Sequence, residues 1–123
     1  TGVGAALVLG DPDNFEIGWG ALRLQLRGRR RRHEVSAERL ERGVLIGRYE
    51  RCGVEITSEP EISRVHALLV KIGAEVWIID TGSTNGIWRG VEPVEAEPLR
   101  DVDAVRLGRA VTLTWTRREL PEA

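Results

Sequence analysis

At 123 residues the chain has the length of one domain, and it can bury a hydrophobic core without disulfides or metals. Its single cysteine, Cys52, excludes an internal disulfide framework and favours a reducing compartment, so we expect a cytoplasmic (intracellular) protein. The formal net charge of −1 gives no general attraction to nucleic acid, and no apolar run approaches the roughly 20 residues of a membrane-spanning helix.

The two ends of the sequence differ from its middle. Thr1–Gly20 contains several glycines and a Pro-containing turn, which predicts a leading segment or linker that is partly ordered. Residues 21–118 are predicted to form the domain, and residues 119–123 a charged tail. Because the sequence contains no Met, not even at position 1, we expect it to be a fragment of a longer protein.

The first half of the predicted domain has strand signals interrupted by charged residues. Ala21–Leu26 alternates apolar and polar residues, as a half-buried strand does. Gly28–Arg32 is interpreted as a solvated hairpin tip, because this basic run is short and has no aromatic residues interleaved. Val35–Arg42 has some helical character, and Val44–Ile46 is predicted to be a strand that ends at Gly47-Arg48.

The middle of the sequence predicts a β-hairpin. The apolar runs Ala67–Ile72 and Val76–Ile79 flank a Gly-containing connection. One polar cluster, Ser63–His66, precedes the hairpin, and another, Thr81–Gly86, follows it. Because a hairpin returns the chain to its starting edge, both clusters should lie on one rim of a sheet. Their hydroxyl, guanidinium, amide and backbone N–H groups suit an oxyanion, above all phosphate, and Arg48 can add a second fork of donors there.

The last third of the chain predicts further short strands. Ile87-Trp88 and Val91–Val94 form another tight hairpin, in which Pro93 favours an edge position, as Pro98 does farther along. Closing strands follow at Val105–Leu107 and Val111–Trp115. Strands at this spacing, with turn signals between them and no long helical period, predict an all-β sandwich.

Three motifs in order closely resemble a known family: Gly47-Arg48, Ser63-Arg64-x-His66 and Ser83-Thr84-Asn85-Gly86. The family is the forkhead-associated (FHA) domain, a phosphothreonine-binding β-sandwich. The resemblance covers roughly Ala21 to Thr116. It implies a two-sheet β-sandwich of the FHA/SMAD-like type, with about 10–11 short strands and ligand loops at one rim. Because Val35–Arg42 leads into the second strand in the family, the resemblance also implies a short strand or turn there.

The sequence departs from the family pattern at three places behind the predicted site. Ile87 stands where the family usually has Thr, Arg89-Gly90 replaces an Asn-Gly turn, and Val102-Asp103 replaces Gly-Asp. These positions lie in hairpins, so we expect them to alter turn geometry more than phosphate binding.

The resemblance also implies roles for individual residues. Arg48 would hold two phosphate oxygens with its planar fork, and Arg64 would touch phosphate or an acidic neighbour. The hydroxyl groups of Ser63 and Thr84 would donate to phosphate, and the carboxamide of Asn85 would hydrogen-bond to the peptide backbone. The phosphopeptide-binding set is Arg48, Ser63, Arg64, Thr84 and Asn85, and the supporting set is Gly47, His66, Ser83 and Gly86.

An enzyme is the least favoured interpretation. Ser63, His66 and Asp80 form no nucleophile elbow, and residues three apart on an extended chain point to opposite faces, so Ser63 and His66 should not meet easily. In the family this His is structural. Glu59 and Glu61 lie two apart in a loop without a partner His. We therefore expect no catalytic residue, no metal site and no cofactor.

The predicted function is non-enzymatic binding of phosphothreonine in a partner protein, for signalling or regulated assembly. The partner would be a Ser/Thr kinase, a kinase substrate or another part of the same chain. The alternative is an FHA-fold domain that binds proteins without phosphate or associates with itself. Nucleic-acid binding through Arg27–Arg32 is a third, less favoured hypothesis, so no nucleic-acid partner is expected.

Overall fold

The computed structural model describes residues 19–117, and this part of the chain contains eleven β-strands and one short helix. Six strands form one sheet and five form the other, and one hydrophobic core fills the space between them. The predicted all-β, two-sheet sandwich is therefore confirmed. The predicted leading segment, apart from Trp19 and Gly20, and the predicted tail at 119–123 lie outside the described residues.

The elements follow one another closely along the chain. In order they are β1 Gly20–Leu26, β2 Arg29–Val35, α1 Ala37–Arg42, β3 Val44–Gly47, β4 Val54–Glu55, β5 Ala67–Ile72, β6 Glu75–Asp80, β7 Ile87–Arg89, β8 Glu92–Pro93, β9 Ala96–Leu99, β10 Asp103–Leu107 and β11 Val111–Arg117. The sheet orders are β9-β6-β5-β3-β4 and β2-β1-β11-β10-β7-β8. Neighbouring strands are antiparallel except β3 and β4, which are parallel.

The central hairpin forms as predicted. Ala67 of β5 lies opposite Asp80 of β6, and Ile72 lies opposite Glu75 at the turn. The segments before β5 and after β6 therefore leave the sheet at the same end. Pro93 and Pro98 both lie on edge strands, β8 and β9, as predicted. An edge position suits proline because it has no N–H to donate to a second neighbour.

The prediction of a strand or turn for Val35–Arg42 is wrong over most of its length. Val35 ends β2, and Ala37–Arg42 forms the helix α1. Ser36 caps the helix, since its Oγ accepts a hydrogen bond of 3.2 Å from Arg39 N, and the fully buried Leu40 anchors the helix to the core. Within residues 19–117 this six-residue helix is the longest helical segment, so none there has the length and apolarity to span a membrane.

The interpretation of the arginine run as a hairpin tip is wrong. The turn between β1 and β2 consists of Arg27-Gly28 alone, and Arg29–Arg32 lie inside β2. Arg32 pairs with Arg23, and Arg30 pairs with Gln25, and all four side chains are exposed. The run can form a strand because β2 is the edge of its sheet, where charged side chains face solvent and discourage further strand pairing.

Two of the departures from the family pattern contact each other. Arg89 of β7 places Nη1 2.5 Å from Oδ1 of Asp103 in β10 and Nε 3.0 Å from Oε1 of Glu97 in β9. Burial acts to raise the pKa of the Asp103 carboxyl, but hydrogen bonds from Arg89 and the Arg100 N–H outweigh it, so the pKa is lowered. Because β9 and β10 belong to different sheets, Arg89 joins the two sheets at this margin.

Candidate functional site

The two polar clusters lie side by side at one end of the sandwich, as predicted. Thr84 N donates to Ser63 Oγ over 3.0 Å, and Thr81 Oγ1 donates to Val65 O over 2.9 Å. The chain after β3 joins them, because Arg48 N donates to Ser63 O over 3.0 Å. We call this surface the rim and define it as Arg48, residues 61–66 and residues 81–86.

Gly47 lets the chain after β3 approach the segment Ser63–His66 closely. A Cβ at Gly47 would lie only 2.2 Å from Arg64 O, so any larger residue would force these backbones apart. The close approach permits the bond from Arg48 N to Ser63 O and another of 3.0 Å from Tyr49 N to Arg64 O. Glycine at this position therefore sets the distance between Arg48 and Ser63.

We expect Gly47→Ala to lower both stability and phosphopeptide affinity. The added methyl overlaps a backbone oxygen that cannot rotate away, and overpacking of this kind costs about 1–3 kcal/mol. Thermal unfolding and peptide titration would measure the two effects. Gly73→Ala is the control: its φ of +63° also disfavours alanine, but it lies in the β5–β6 turn with no heavy atom within 4 Å of an added Cβ. Equal loss of affinity in both variants would contradict the role of Gly47 in setting the distance between Arg48 and Ser63.

Arg48 carries an exposed guanidinium at the rim. Its Nε donates to Ile62 O, which anchors the side chain above the loop that precedes β5. No hydrogen bond from its terminal nitrogens is found within residues 19–117. Arg64 is also exposed, and its guanidinium has no hydrogen-bond partner in the same range. Two cationic forks are therefore available to an anion at the rim.

Ser63 links the two polar clusters and keeps one donor available. Its Oγ accepts the bond from Thr84 N, so its hydroxyl hydrogen remains available to donate to a phosphate oxygen. Its backbone N–H donates to Nδ1 of His66 over 3.1 Å. The expectation that Ser63 and His66 would not meet is therefore wrong in part: they are in contact, but through the backbone of Ser63 and not through its hydroxyl.

His66 is fully buried and bonded at both ring nitrogens. Nδ1 accepts from Ser63 N, and Nε2 lies 2.8 Å from Gly86 O. Since a carbonyl can only accept, the hydrogen-bond pattern assigns the ring proton to Nε2. The imidazole therefore holds the loop before β5 against the loop after β6.

The loop after β6 is braced by side chains from its own sequence. Asp80 Oδ1 accepts from Gly82 N over 3.1 Å and from Ser83 N over 2.8 Å, and Ser83 Oγ accepts from Gly86 N over 3.0 Å. Gly86 has φ +81°, a conformation that L-residues rarely adopt. These bonds leave Thr84 and the residue after it exposed at the tip of the loop.

Asn85 is exposed but held in place. Its Nδ2 donates to Glu61 O over 2.8 Å, and its backbone carbonyl accepts from Trp88 Nε1 over 2.8 Å. The side-chain amide is therefore oriented while its Oδ1 remains able to accept a hydrogen bond. A peptide backbone N–H is a group that such an oxygen can bind.

Sequence reasoning missed the ionic network beneath the rim. Glu61 Oε2 lies 3.2 Å from Arg27 Nη2, and Glu61 Oε1 accepts from the backbone N–H of Arg109. Glu59 is 2% exposed, and its Oε1 lies 3.4 Å from Arg27 Nε. The network ties the β1–β2 and β10–β11 turns to the loop whose carbonyls hold Arg48 and Asn85.

The reactive side chains near the rim are occupied by structural contacts. Cys52 is buried, its Sγ lies 3.3 Å from Arg64 O, and burial raises the pKa of its thiol, which makes the thiolate scarce. Within residues 19–117 no group of three or more His, Cys, Asp or Glu side chains is placed to hold a metal ion. The groups that the rim offers to a ligand are the cations of Arg48 and Arg64 and hydrogen-bond donors such as the Ser63 hydroxyl.

Known proteins share this fold. A family model described as the FHA domain matches residues 44–108, more than half of the 123 residues. A search of the curated proteins found no match to this chain. FHA domains are interaction modules that bind phosphopeptides.

Solved FHA domains have similar structures. One chain, from a structural and functional analysis of phosphothreonine-dependent FHA domain interactions, is 27% identical, with a TM-score of 0.67 over 81% of this chain and 99% of that one. The FhaA FHA domain, complexed with the intracellular domain of Rv3910, is 26% identical, with a TM-score of 0.66 over 78% and 98%. Rv1747 FHA-1 of Mycobacterium tuberculosis is 25% identical, with a TM-score of 0.64 over 82% and 99%.

Proposed function

Because this chain belongs to the FHA domain family, we propose that it is a non-enzymatic module whose rim binds phosphothreonine in partner proteins. The observation that carries the proposal is that hydrogen bonds join the loops of Arg48, Ser63, Thr84 and Asn85 around one exposed surface. Its role is signalling or regulated assembly.

The phosphate of phosphothreonine is close to a dianion at neutral pH and carries strong acceptor oxygens. The terminal nitrogens of Arg48 bind two of these oxygens, and the hydroxyl hydrogen of Ser63 donates to another. Arg64 adds a second positive charge to the phosphate or to an acidic neighbour in the peptide. Since Arg48, Ser63 and Thr84 are already held by the loops, binding requires little ordering of the protein.

Asn85 holds the peptide backbone beside the modified residue. The bond from its Nδ2 to Glu61 O fixes the amide, and Oδ1 accepts from a peptide N–H. This contact sets the direction of the peptide relative to the phosphate. We therefore expect Asn85→Ala to lower the affinity for phosphopeptides and to leave the affinity for free inorganic phosphate nearly unchanged.

The preference for threonine over serine depends on the extra methyl group. Its burial contributes about 0.8 kcal/mol, which corresponds to roughly fourfold in affinity. A larger preference requires that the phosphate of phosphoserine be misplaced relative to Arg48 when the methyl is missing.

The proposed partner is a phosphorylated Ser/Thr kinase, a kinase substrate or another segment of the same protein. Two comparisons support this class: one similar structure comes from a study of phosphothreonine-dependent FHA interactions, and another is bound to an intracellular protein domain. We also propose a cytoplasmic setting, which the single unpaired cysteine supports.

The experiment is binding to a degenerate peptide library in three matched forms, with phosphothreonine, phosphoserine or unmodified threonine at the fixed position. We expect phosphothreonine peptides to bind best, phosphoserine peptides to bind at least about fourfold more weakly, and unmodified peptides not to be retained. Equal retention of unmodified peptides would contradict the proposal and would support phosphate-independent protein binding or self-association instead.

A further inference from the structure

A groove of about 500 Å³ lies on the outer face of the six-stranded sheet. Its lining includes Arg23 and Gln25 of β1, Arg30 and Arg32 of β2, and Thr114 of β11. None of these residues belongs to the rim. We call this surface the arginine groove.

Like charges face one another across the arginine groove. Arg23 lies directly opposite Arg32, and Arg30, opposite Gln25, lies diagonal to Arg23. Like charges at directly opposed positions destabilise a sheet. Within residues 19–117, one acidic side chain shares this face: Glu34 accepts bonds of 3.0 and 2.7 Å from Arg32, and such an exposed pair offsets the charge only in part.

Protection of the sheet edge does not account for this pattern. Charges on β2 would be enough to discourage pairing with another strand, because β2 is the edge. Arg23, however, lies on β1, which is paired on both sides by β2 and β11. An arginine placed there adds repulsion without protecting an edge, and this indicates an anionic partner.

We propose that the arginine groove binds an acidic protein segment, rich in Asp and Glu, in an extended conformation. Arg30 and Arg32 are two residues apart on one face of a strand, about 7 Å, which is also the spacing of alternate side chains in an extended peptide. Arg32 holds Glu34 through Nε and Nη2, and Arg30 holds Gln25 through Nε. Carboxylates at alternate positions can therefore each meet a guanidinium, at the terminal nitrogens of Arg30 and at Nη1 of Arg32. The side chains lining the groove include no aromatic ring on which a base could stack, so a protein segment fits better than single-stranded nucleic acid.

The probe is a fluorescent twelve-residue peptide in which Glu and Ser alternate, measured by anisotropy at low ionic strength. Controls are the same peptide with Gln in place of Glu, a peptide with the same Glu and Ser residues in two blocks, and a thymidine oligonucleotide of equal length. The test variant carries Arg23→Gln and Arg30→Gln. The matched control carries Arg51→Gln and Arg100→Gln, which remove the same charge from exposed positions elsewhere.

We expect the alternating Glu peptide to bind, and the test variant to bind it about tenfold more weakly while the matched control changes it less than twofold. Arg48→Ala should leave this binding unchanged, so the result is separable from phosphopeptide binding at the rim. The free test variant should be about as stable as the wild type, because the repulsion that it removes offsets the loss of the exposed bond from Arg30 Nε to Gln25 Oε1.

Several results would overturn the proposal. These are no binding of the alternating peptide, equal losses in both double variants, equal affinity for the block peptide, and tighter binding of the oligonucleotide. A test variant clearly less stable than the wild type would show that Arg23 and Arg30 stabilise the folded domain.

Discussion

Replacing Arg48 with alanine should abolish phosphothreonine-peptide binding while leaving the domain folded. The side chain is exposed, its Nε bond to Ile62 O is its single side-chain bond within residues 19–117, and its terminal nitrogens are available to phosphate. Truncating one partner of a charge-assisted pair at a binding site costs on the order of 2–5 kcal/mol, or roughly thirtyfold to several thousandfold in Kd. Isothermal titration with a selected phosphothreonine peptide measures the loss.

Two further variants make the Arg48 result specific. Arg51→Ala removes the same charge from an exposed position in the same loop and should change Kd less than about twofold. Arg48→Lys keeps the charge but loses the planar fork, so we expect an affinity between those of the wild type and Arg48→Ala. If Arg51→Ala weakens binding as much as Arg48→Ala does, phosphopeptide affinity depends on the overall charge of the domain and not on the guanidinium of Arg48.

The second large effect is expected for His66→Ala. The imidazole is fully buried and joins Ser63 N to Gly86 O, so its loss leaves a cavity and a buried N–H without its partner. The two contributions together cost about 2–4 kcal/mol of the free energy of unfolding, a large part of the total for a small domain. Chemical denaturation measures the stability, and peptide titration below the unfolding transition measures the accompanying loss of affinity.

The second histidine in the sequence provides the comparison. His33 is only half-buried on β2, and its Nε2 lies 3.0 Å from Arg31 Nη2, away from the rim. His33→Ala should cost less stability than His66→Ala and should leave peptide affinity unchanged. A His66→Ala domain that binds the peptide as tightly as the wild type would show that this histidine does not position the rim.

The rim could be predicted from sequence because its parts are local. The motifs around Gly47, Ser63 and Asn85 are each a few residues long. Because β5 and β6 form a hairpin, the motifs around Ser63 and Asn85 must lie at the same end of a sheet. Turn residues such as Asp80 and Ser83 bond to backbone within three residues, which a sequence reader can anticipate. The binding roles of these side chains stay predictions until a ligand is measured.

The ionic network under the rim could not be predicted in this way. Glu59 and Glu61 meet Arg27 across more than thirty residues of sequence, and the pairing depends on how the β1–β2 turn packs against the loop before β5. In sequence both acids look like solvated loop residues. The contact between Arg89 and Asp103 could not be predicted for the same reason, because the sequence shows the two residues only as separate departures from the family pattern.

Two local features were misread for different reasons. Ser36 is a good helix cap, and the six residues after it have helical character, but the family resemblance favoured a strand or turn over α1. The arginines after Gly28 look like a solvated turn in the sequence because all are charged, but they pair with β1 in a seven-residue register at the edge of the sheet.

The most direct test of the rim as the phosphothreonine site is a titration of the ¹⁵N-labelled protein with one selected phosphothreonine peptide, followed by NMR. We expect the largest shifts at the Nε of Arg48 and at the backbone amides of Ser63, Thr84, Asn85 and Gly86, and none of that size with the unmodified peptide. Equal shifts with both peptides, or shifts centred away from the rim, would contradict the account.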